Sequence, residues 1–139
     1  AALFADPRMF VFEMKMLREA VRVMDALGIR AVSLPGAPAA GLAWALRWLP
    51  DIALWLVLRR RLAAARGDKR PSLYYELANA TGRSEVAWLN GAVVAAGARL
   101  GIPTPVNERL TSVLAALVAG SAAWSDWRSD VARLLGGLD

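Results

Sequence analysis

Two residues in this sequence stand at predicted helix starts that could form a site for a small anion: Ser72 and Glu85. Each lies at the predicted start of a helix, Ser72 directly after Pro71 and Glu85 directly after the N-cap residue Ser84. Backbone N–H groups point outward at a helix start, so two helix starts facing one cleft would form a site for a small carboxylate substrate. Ser and Glu at such positions are more often simple helix caps, and from these residues alone both interpretations stay open.

The composition narrows the chemistry that this segment could perform. The 139 residues include no Cys and no His, which excludes disulfides, thiolate metal sites and the acid–base group most used near neutral pH. We expect no metal, and catalysis here would depend on carboxylate, Lys, Tyr or Ser side chains. The net charge of +5 could favour an anionic partner, but solvated helix faces explain it as well. The basic segment 59–70 has no interleaved aromatic residues, so we expect no nucleic acid.

The candidate residues would be positioned by consecutive helices in the centre of the chain. The pattern predicts a short helix over 71–80 and a longer one over 84–100. Gly101 can adopt the left-handed conformation that ends the longer helix. Thr104 and Pro105 then provide the N-cap and first position of the next helix, with almost no loop between the two.

The longer of these helices carries a polar residue on an apolar face. Asn90 shares that face with Val86, Val93 and Leu100, and a buried amide must find hydrogen-bond partners. We therefore predict that Asn90 is a structural clamp rather than a ligand-binding group. Gly91 and Gly97 would permit a close approach of a neighbouring backbone.

A first helix of about six turns is predicted from Pro7, after the N-cap Asp6, to the C-terminal Gly28. Its apolar arc is wider than a surface helix needs, so this helix should be central to the core. Glu13 projects into the arc, and we expect it to stay solvated or to pair with an Arg. The opposite, polar side is expected to hold Lys15, Arg18, Glu19, Arg22 and Asp25.

The segment 37–58 is almost wholly apolar and is about long enough to span a bilayer. Arg47 and Asp51 at its centre oppose that interpretation, because two central charges cost about 5–7 kcal/mol on an insertion scale. Pro50 also divides the run, so we expect no membrane span and predict two helices, roughly 39–49 and 51–66. Three Trp residues could serve a subunit or interdomain interface, or equally fill the core: Trp44, Trp48 and Trp55.

No part of the sequence shows the alternation typical of strands, so the predicted fold class is all-α. We expect a multi-helix bundle that forms one domain over 1–139. After the 105–119 helix and an interruption at Gly120, a last amphipathic helix is predicted to carry Trp124, Trp127, Val131 and Leu134.

Four blocks of the sequence resemble the C-terminal domain of the ketopantoate reductase (2-dehydropantoate 2-reductase) family. They are SLYYEL at 72–77, SEV at 84–86, LNG at 89–91 and GIPTPVN at 101–107, in the order and spacing of that family. The resemblance implies an all-α fold like the C-terminal domains of 6-phosphogluconate dehydrogenase-like proteins. It also implies a parent enzyme that uses NADPH to reduce a 2-keto acid to the 2-hydroxy acid, as in pantothenate biosynthesis.

The resemblance also assigns roles to particular positions. The position of Ser72 binds the substrate, and the position of Glu85 assists catalysis. The family's proton-donating Lys would lie upstream of Ala1, so Lys15 is not given that role. NADPH would be bound mainly by an N-terminal Rossmann domain absent from this sequence, so we assign no cofactor-binding residue here and expect the 139-residue segment to be inactive alone. The family further implies a cytoplasmic homodimer.

Two other interpretations remain at this stage. The chain could be a non-catalytic helical dimerisation or interaction module in which Ser72 and Glu85 are plain helix caps. It could also be a membrane-associated helical protein that uses residues 37–58.

Overall fold

The computed structural model describes residues 7–66, 88–127 and 131–136, without the side chains of 59–66, Trp124 and Val131. These residues form six α-helices and one short 3₁₀ helix, and they contain no strand. The helices are α1 (Pro7–Ala26), α2 (Ala39–Trp48), α3 (Asp51–Arg66), α4 (Asn90–Leu100), α5 (Pro105–Val118) and α6 (Val131–Leu135). The 3₁₀ helix, Trp124–Trp127, precedes α6. The predicted all-α fold class is confirmed.

The first helix is central, as its wide apolar arc predicts. One side of α1 buries Phe10, Met14 and Val21 against α2 and α3, and Phe10 meets the Trp55 ring edge-to-face at 5.1 Å. Another side buries Met9 and Phe12 against the start of α5 and against α6. Burial of each such side chain stabilises the fold by about 1.5–3 kcal/mol. Because α1 contributes side chains to both core clusters, it connects two clusters that would otherwise be separate.

The end of α1 follows the sequence prediction. Gly28 has a φ of 69°, and the amides of Gly28 and Ile29 bond back to the carbonyls of Asp25 and Met24 at 3.1 and 2.9 Å. A left-handed residue at this position closes the helix and satisfies its last carbonyls.

Pro50 separates two helices, as predicted, with α2 ending at Trp48 and α3 beginning at Asp51. The two charges of the apolar run are both paired with α1. Arg47 donates to both carboxylate oxygens of Asp25, at 2.8 and 2.5 Å. Arg18 Nη2 lies 3.0 Å from Asp51 Oδ1 and donates to the Leu49 carbonyl at 2.6 Å. Among the described residues, no helix combines the length and apolarity that a membrane crossing needs.

The predicted helix over 84–100 is wrong in its beginning. Trp88 and Leu89 form a turn, and α4 begins only at Asn90; residues 84–87 lie outside the described part. Leu89 has φ −94° and ψ −81°, outside the helical region, and the following Gly91 is a weak helix former. The predicted position of Glu85 at a helix start lies outside the described residues, so α4 does not test it.

The sharp turn between α4 and α5 is confirmed. Gly101 has a φ of 67°, and the Ile102 amide bonds to the Gly97 carbonyl at 2.9 Å. The predicted close approach at Gly97 is also present, because a Cβ there would lie 2.8 Å from both the Ile102 oxygen and Thr104 Cγ2. Only glycine fits at this contact without a shift of the turn.

The last predicted helix is divided. Trp127 ends the 3₁₀ helix, and α6 covers only five residues. The guanidinium carbons of Arg109 and Arg133 lie 5.5 and 4.5 Å from the centroid of the Trp127 ring. Arg109 also donates to the Arg133 carbonyl at 2.8 Å, so cation–π contacts and hydrogen bonds hold this C-terminal region against α5.

Candidate functional site

The two site residues expected from the sequence, Ser72 and Glu85, both lie outside the described residues. Their roles in substrate binding and catalysis therefore stay predictions. The described structure nevertheless contains the GIPTPVN block and the clamp residue Asn90, which begins α4 five positions after Glu85.

A buried carboxylate caps the start of α5. Glu19 is only 2% exposed, and its Oε1 accepts the Val106 backbone N–H at 2.9 Å. Its Oε2 accepts the Asn107 backbone N–H at 2.9 Å and the Asn107 side-chain amide at 2.7 Å. Because Pro105 is the first residue of α5, these N–H groups belong to the second and third residues of the helix, which an N-cap side chain usually satisfies. A residue 87 positions away in sequence performs that task.

The expected cap makes a different bond. Thr104 precedes Pro105 as predicted, but its hydroxyl donates to Glu108 Oε1 at 3.1 Å and makes no side-chain bond to the helix amides. The placement of Glu19 on the solvated side of α1 is thus wrong. The sequence did hold a signal, since Met9, Phe12, Met16, Glu19 and Val23 follow the 3–4–3–4 spacing of one helix face.

Asn107 connects Glu19 to the start of α4. Its amide nitrogen donates to Glu19 Oε2 and to the Met16 carbonyl, the latter at 3.0 Å. Its oxygen accepts the Asn90 side-chain amide at 2.9 Å. All hydrogen-bonding groups of this 1% exposed side chain except one lone pair are therefore used. The predicted clamp role of Asn90 is confirmed, with Asn107 as its partner.

An open cleft of about 560 Å³ lies beside this network, between α1, α2 and the start of α5. Four cations line it: Lys15, Arg18, Arg22 and Arg47. The α5 start, which would otherwise attract an anion, is already occupied by the carboxylate of Glu19. Among the described residues, the cleft is thus lined by four cations and by the carboxylates of Glu19 and Asp25, and the one helix start that borders it already holds a carboxylate.

The same cleft contains a surface ion pair between Asp25 and Arg47. The hydrogen bond from Arg47 lowers the pKa of the Asp25 carboxyl below its ordinary value; partial desolvation opposes this, and the positive charge of Arg47 adds to it. The pair likewise raises the pKa of Arg47. Both side chains are thus held in their charged forms. Within the described ranges, no group of three or more acidic side chains could hold a metal ion.

The comparisons with known proteins give one family. The model of the family described as "Ketopantoate reductase PanE/ApbA C terminal" matches residues 1–118. No curated protein and no solved structure matches the chain. The matched range includes both Ser72 and Glu85, and it ends at the last residue of α5.

Proposed function

Since this chain belongs to the family of ketopantoate reductase C-terminal domains, we propose that it is the substrate-binding part of an NADPH-dependent 2-keto acid reductase. The observation that supports this most is the family match over 1–118, because it spans the two positions with expected roles in the reaction. Ketopantoate is the first candidate substrate, which would place the enzyme in cytoplasmic pantothenate biosynthesis.

The described residues do not fit the cofactor itself. A dinucleotide pyrophosphate is bound at a Gly-rich turn between a strand and a helix, whereas the described part of this chain consists of helices and their connections and contains no strand. We therefore propose that a separate nucleotide-binding domain holds NADPH. The cofactor would supply the hydride that the keto carbon receives, while the keto oxygen takes up one proton to give the 2-hydroxy acid.

Within that reaction, this chain would bind and orient the substrate. We propose that the Ser72 hydroxyl donates a hydrogen bond to the substrate, which fixes the keto carbon for attack from one side. We propose that the Glu85 carboxylate assists proton delivery to the keto oxygen, working beside a proton donor from another part of the protein. The Glu19–Asn107–Asn90 network supports this arrangement, because it fixes the start of α4, five residues after Glu85, to α1.

The reaction can be tested with the full-length protein and a panel of 2-keto acids that includes ketopantoate. We expect one NADPH to be oxidised for each 2-hydroxy acid formed, as followed by NADPH absorbance and by chromatography of the product. Folded protein that oxidises NADPH with none of these acids would contradict the proposal and favour a non-catalytic interaction module.

The proposal that a separate domain binds NADPH has its own test. The 139-residue chain alone should reduce no keto acid and should bind NADPH weakly, as measured by the fluorescence of the reduced nicotinamide. Tight NADPH binding by this chain would show that the cofactor site had been assigned to the wrong part of the protein.

A further inference from the structure

The chain beyond α5 returns to the start of that helix. The described residues of this part, 123–127 and 131–136, form what we call the C-terminal strap. Its residues Leu134 and Leu135 pack against a buried cluster from α1 and α5, which consists of Met9, Phe12 and Val106. The family match ends at residue 118, so the strap covers this cluster with residues from outside the matched range.

One arginine of α5 contacts both helical parts of the strap. Arg109 donates to the Arg133 carbonyl of α6 at 2.8 Å, and its guanidinium carbon lies 5.5 Å from the centroid of the Trp127 ring. The guanidinium carbon of Arg133 lies 4.5 Å from the same centroid, and its Nη1 donates to the Asp126 carbonyl at 2.8 Å. We call Arg109, Trp127 and Arg133 the latch, because their contacts join the 3₁₀ helix, α6 and α5.

The contacts of the strap are weaker than those between the longer helices. The hydrogen bonds of Arg109 to the Arg133 carbonyl and of Arg133 to the Asp126 carbonyl are exposed, and cation–π pairs open to water stabilise little. A helix of five residues has no stability apart from its tertiary contacts. The Nε1 atom of Trp127 is buried and has no acceptor among the described residues, so release of the strap lets water satisfy this donor.

We infer that the C-terminal strap is a releasable cover, which turns about Gly120 and opens as a unit while the rest of the fold stays intact. Gly120 has a φ of 69°, and a Cβ there would meet no atom within 4 Å, so this residue has the backbone freedom and the space that a hinge needs. Segments held by few buried contacts open with a smaller free energy than the whole fold.

The strap covers the same turn of α5 that the buried network uses. The Val106 side chain belongs to the covered cluster, while its backbone N–H is bonded to Glu19. The next residue, Asn107, is bonded to Glu19 and to Asn90. Release of the strap therefore exposes Met9 and Phe12 and loosens the turn that connects α1, α4 and α5. This proposal concerns the fold and does not depend on the reductase activity.

The first test is hydrogen exchange of the full-length protein, followed by mass spectrometry at denaturant concentrations below the unfolding transition. We expect peptides of α6 to exchange at least about 100-fold faster than those of α1 and with little dependence on denaturant, as a local opening requires. Arg109→Gln should speed exchange in α6 and in the first turn of α5 at least about 10-fold and leave α1 unchanged. Arg30→Gln is the matched control, because Arg30 is exposed in the α1–α2 connector and belongs to no part of the latch.

A second measurement follows the exposure of the covered cluster. The sequence contains no Cys, so Met9→Cys and Met14→Cys each introduce one thiol into this chain. Met9 lies in the cluster under the strap, whereas Met14, on the same helix, lies in the other core cluster. Arg109→Gln should raise the rate of maleimide labelling at position 9 at least about 10-fold and leave the rate at position 14 unchanged, as read from the labelled peptides.

Two results would overturn the proposal. One is exchange of the α6 peptides only through global unfolding, with the same denaturant dependence as α1. The other is an Arg109→Gln variant in which the labelling rate at position 9 and the exchange at the start of α5 equal those of Arg30→Gln. Far-UV circular dichroism verifies that both arginine variants remain helical, so that local opening is compared in folded proteins.

Discussion

Removal of the buried carboxylate at position 19 should strongly destabilise the fold. Glu19→Ala leaves three N–H donors without their acceptor: the backbone amides of Val106 and Asn107 and the side-chain amide of Asn107. These groups lie in a buried region, because Glu19 and Asn107 are 2% and 1% exposed. Glu19 and Val106 also border the open cleft, so water from the cleft can replace only part of the lost bonding.

The expected loss follows from those three bonds. A hydrogen bond to a charged acceptor contributes about 1.5–3 kcal/mol, and a buried donor left unsatisfied costs about 1–3 kcal/mol. The three effects share one site and partly relax together, so we expect Glu19→Ala to lower the free energy of unfolding by about 3–5 kcal/mol. Glu19→Gln keeps the shape and one oxygen but places an NH₂ group against N–H donors, so its loss should be about 2 kcal/mol.

The assay is denaturant unfolding followed by far-UV circular dichroism, with Glu13→Ala as the matched control. Glu13 is a half-buried carboxylate on the same helix, and its removal should cost less than about 1 kcal/mol. Hydrogen exchange at the Val106 and Asn107 amides gives a local readout, since both should exchange faster in Glu19→Ala. If Glu19→Ala and Glu13→Ala were equally stable, with unchanged exchange at both amides, the capping role of Glu19 would be refuted.

Two further predictions concern backbone space and charge. Gly97→Ala should lower the free energy of unfolding by about 1–3 kcal/mol despite a better helix propensity, because its Cβ meets backbone at 2.8 Å. Gly41→Ala is the control, because a Cβ at Gly41 would meet no atom within 4 Å; this variant should raise the free energy of unfolding by up to about 1 kcal/mol. The same unfolding assay compares the two variants, and equal effects would contradict the close contact at Gly97. Asp25 has a lowered folded pKa, so its pairing with Arg47 should stabilise the fold above the ordinary Asp pKa of about 3.9 and lose this effect as pH falls through the folded value. Asp25→Asn should therefore be less stable than wild type at neutral pH and equally stable in strong acid, and an Asp25 carboxyl titration by NMR at the ordinary pKa would argue against the pair.

Local signals in the sequence predicted much of the fold. Helix ends at Gly28 and Gly101, the break at Pro50 and the start of α5 at Pro105 all depend on the backbone preferences of single residues. Such preferences act within a few residues, so they can be read without knowledge of the tertiary structure. The same reasoning failed to predict where α4 begins, because the predicted continuous helix is interrupted by a turn at Trp88 and Leu89 and α4 starts at Asn90. There the described contact is long-range, since the Asn90 side chain is bonded to Asn107.

The sequence rules for helix caps could not predict the role of Glu19, for the same reason. Those rules look for an N-cap acceptor beside the helix, and Thr104 satisfied them in sequence but not in geometry. The acceptor came instead from α1, through a contact that only the packed structure defines. For the candidate catalytic residues the situation differs. The sequence motifs indicated a known family in which the positions of Ser72 and Glu85 have functional roles, and the family match over 1–118 includes both positions. Both residues lie outside the described part of the structure.

The most direct test of the proposed function is kcat/KM of the full-length protein with its best 2-keto acid, for wild type and variants at the two expected positions. Glu85→Gln should lower kcat/KM by at least about 100-fold and Ser72→Ala by at least about 10-fold, with unfolding free energies unchanged. Glu108→Gln and Ser121→Ala alter exposed residues of the same types and should leave kcat/KM at the wild-type value. Wild-type kcat/KM in both Glu85→Gln and Ser72→Ala would contradict the account.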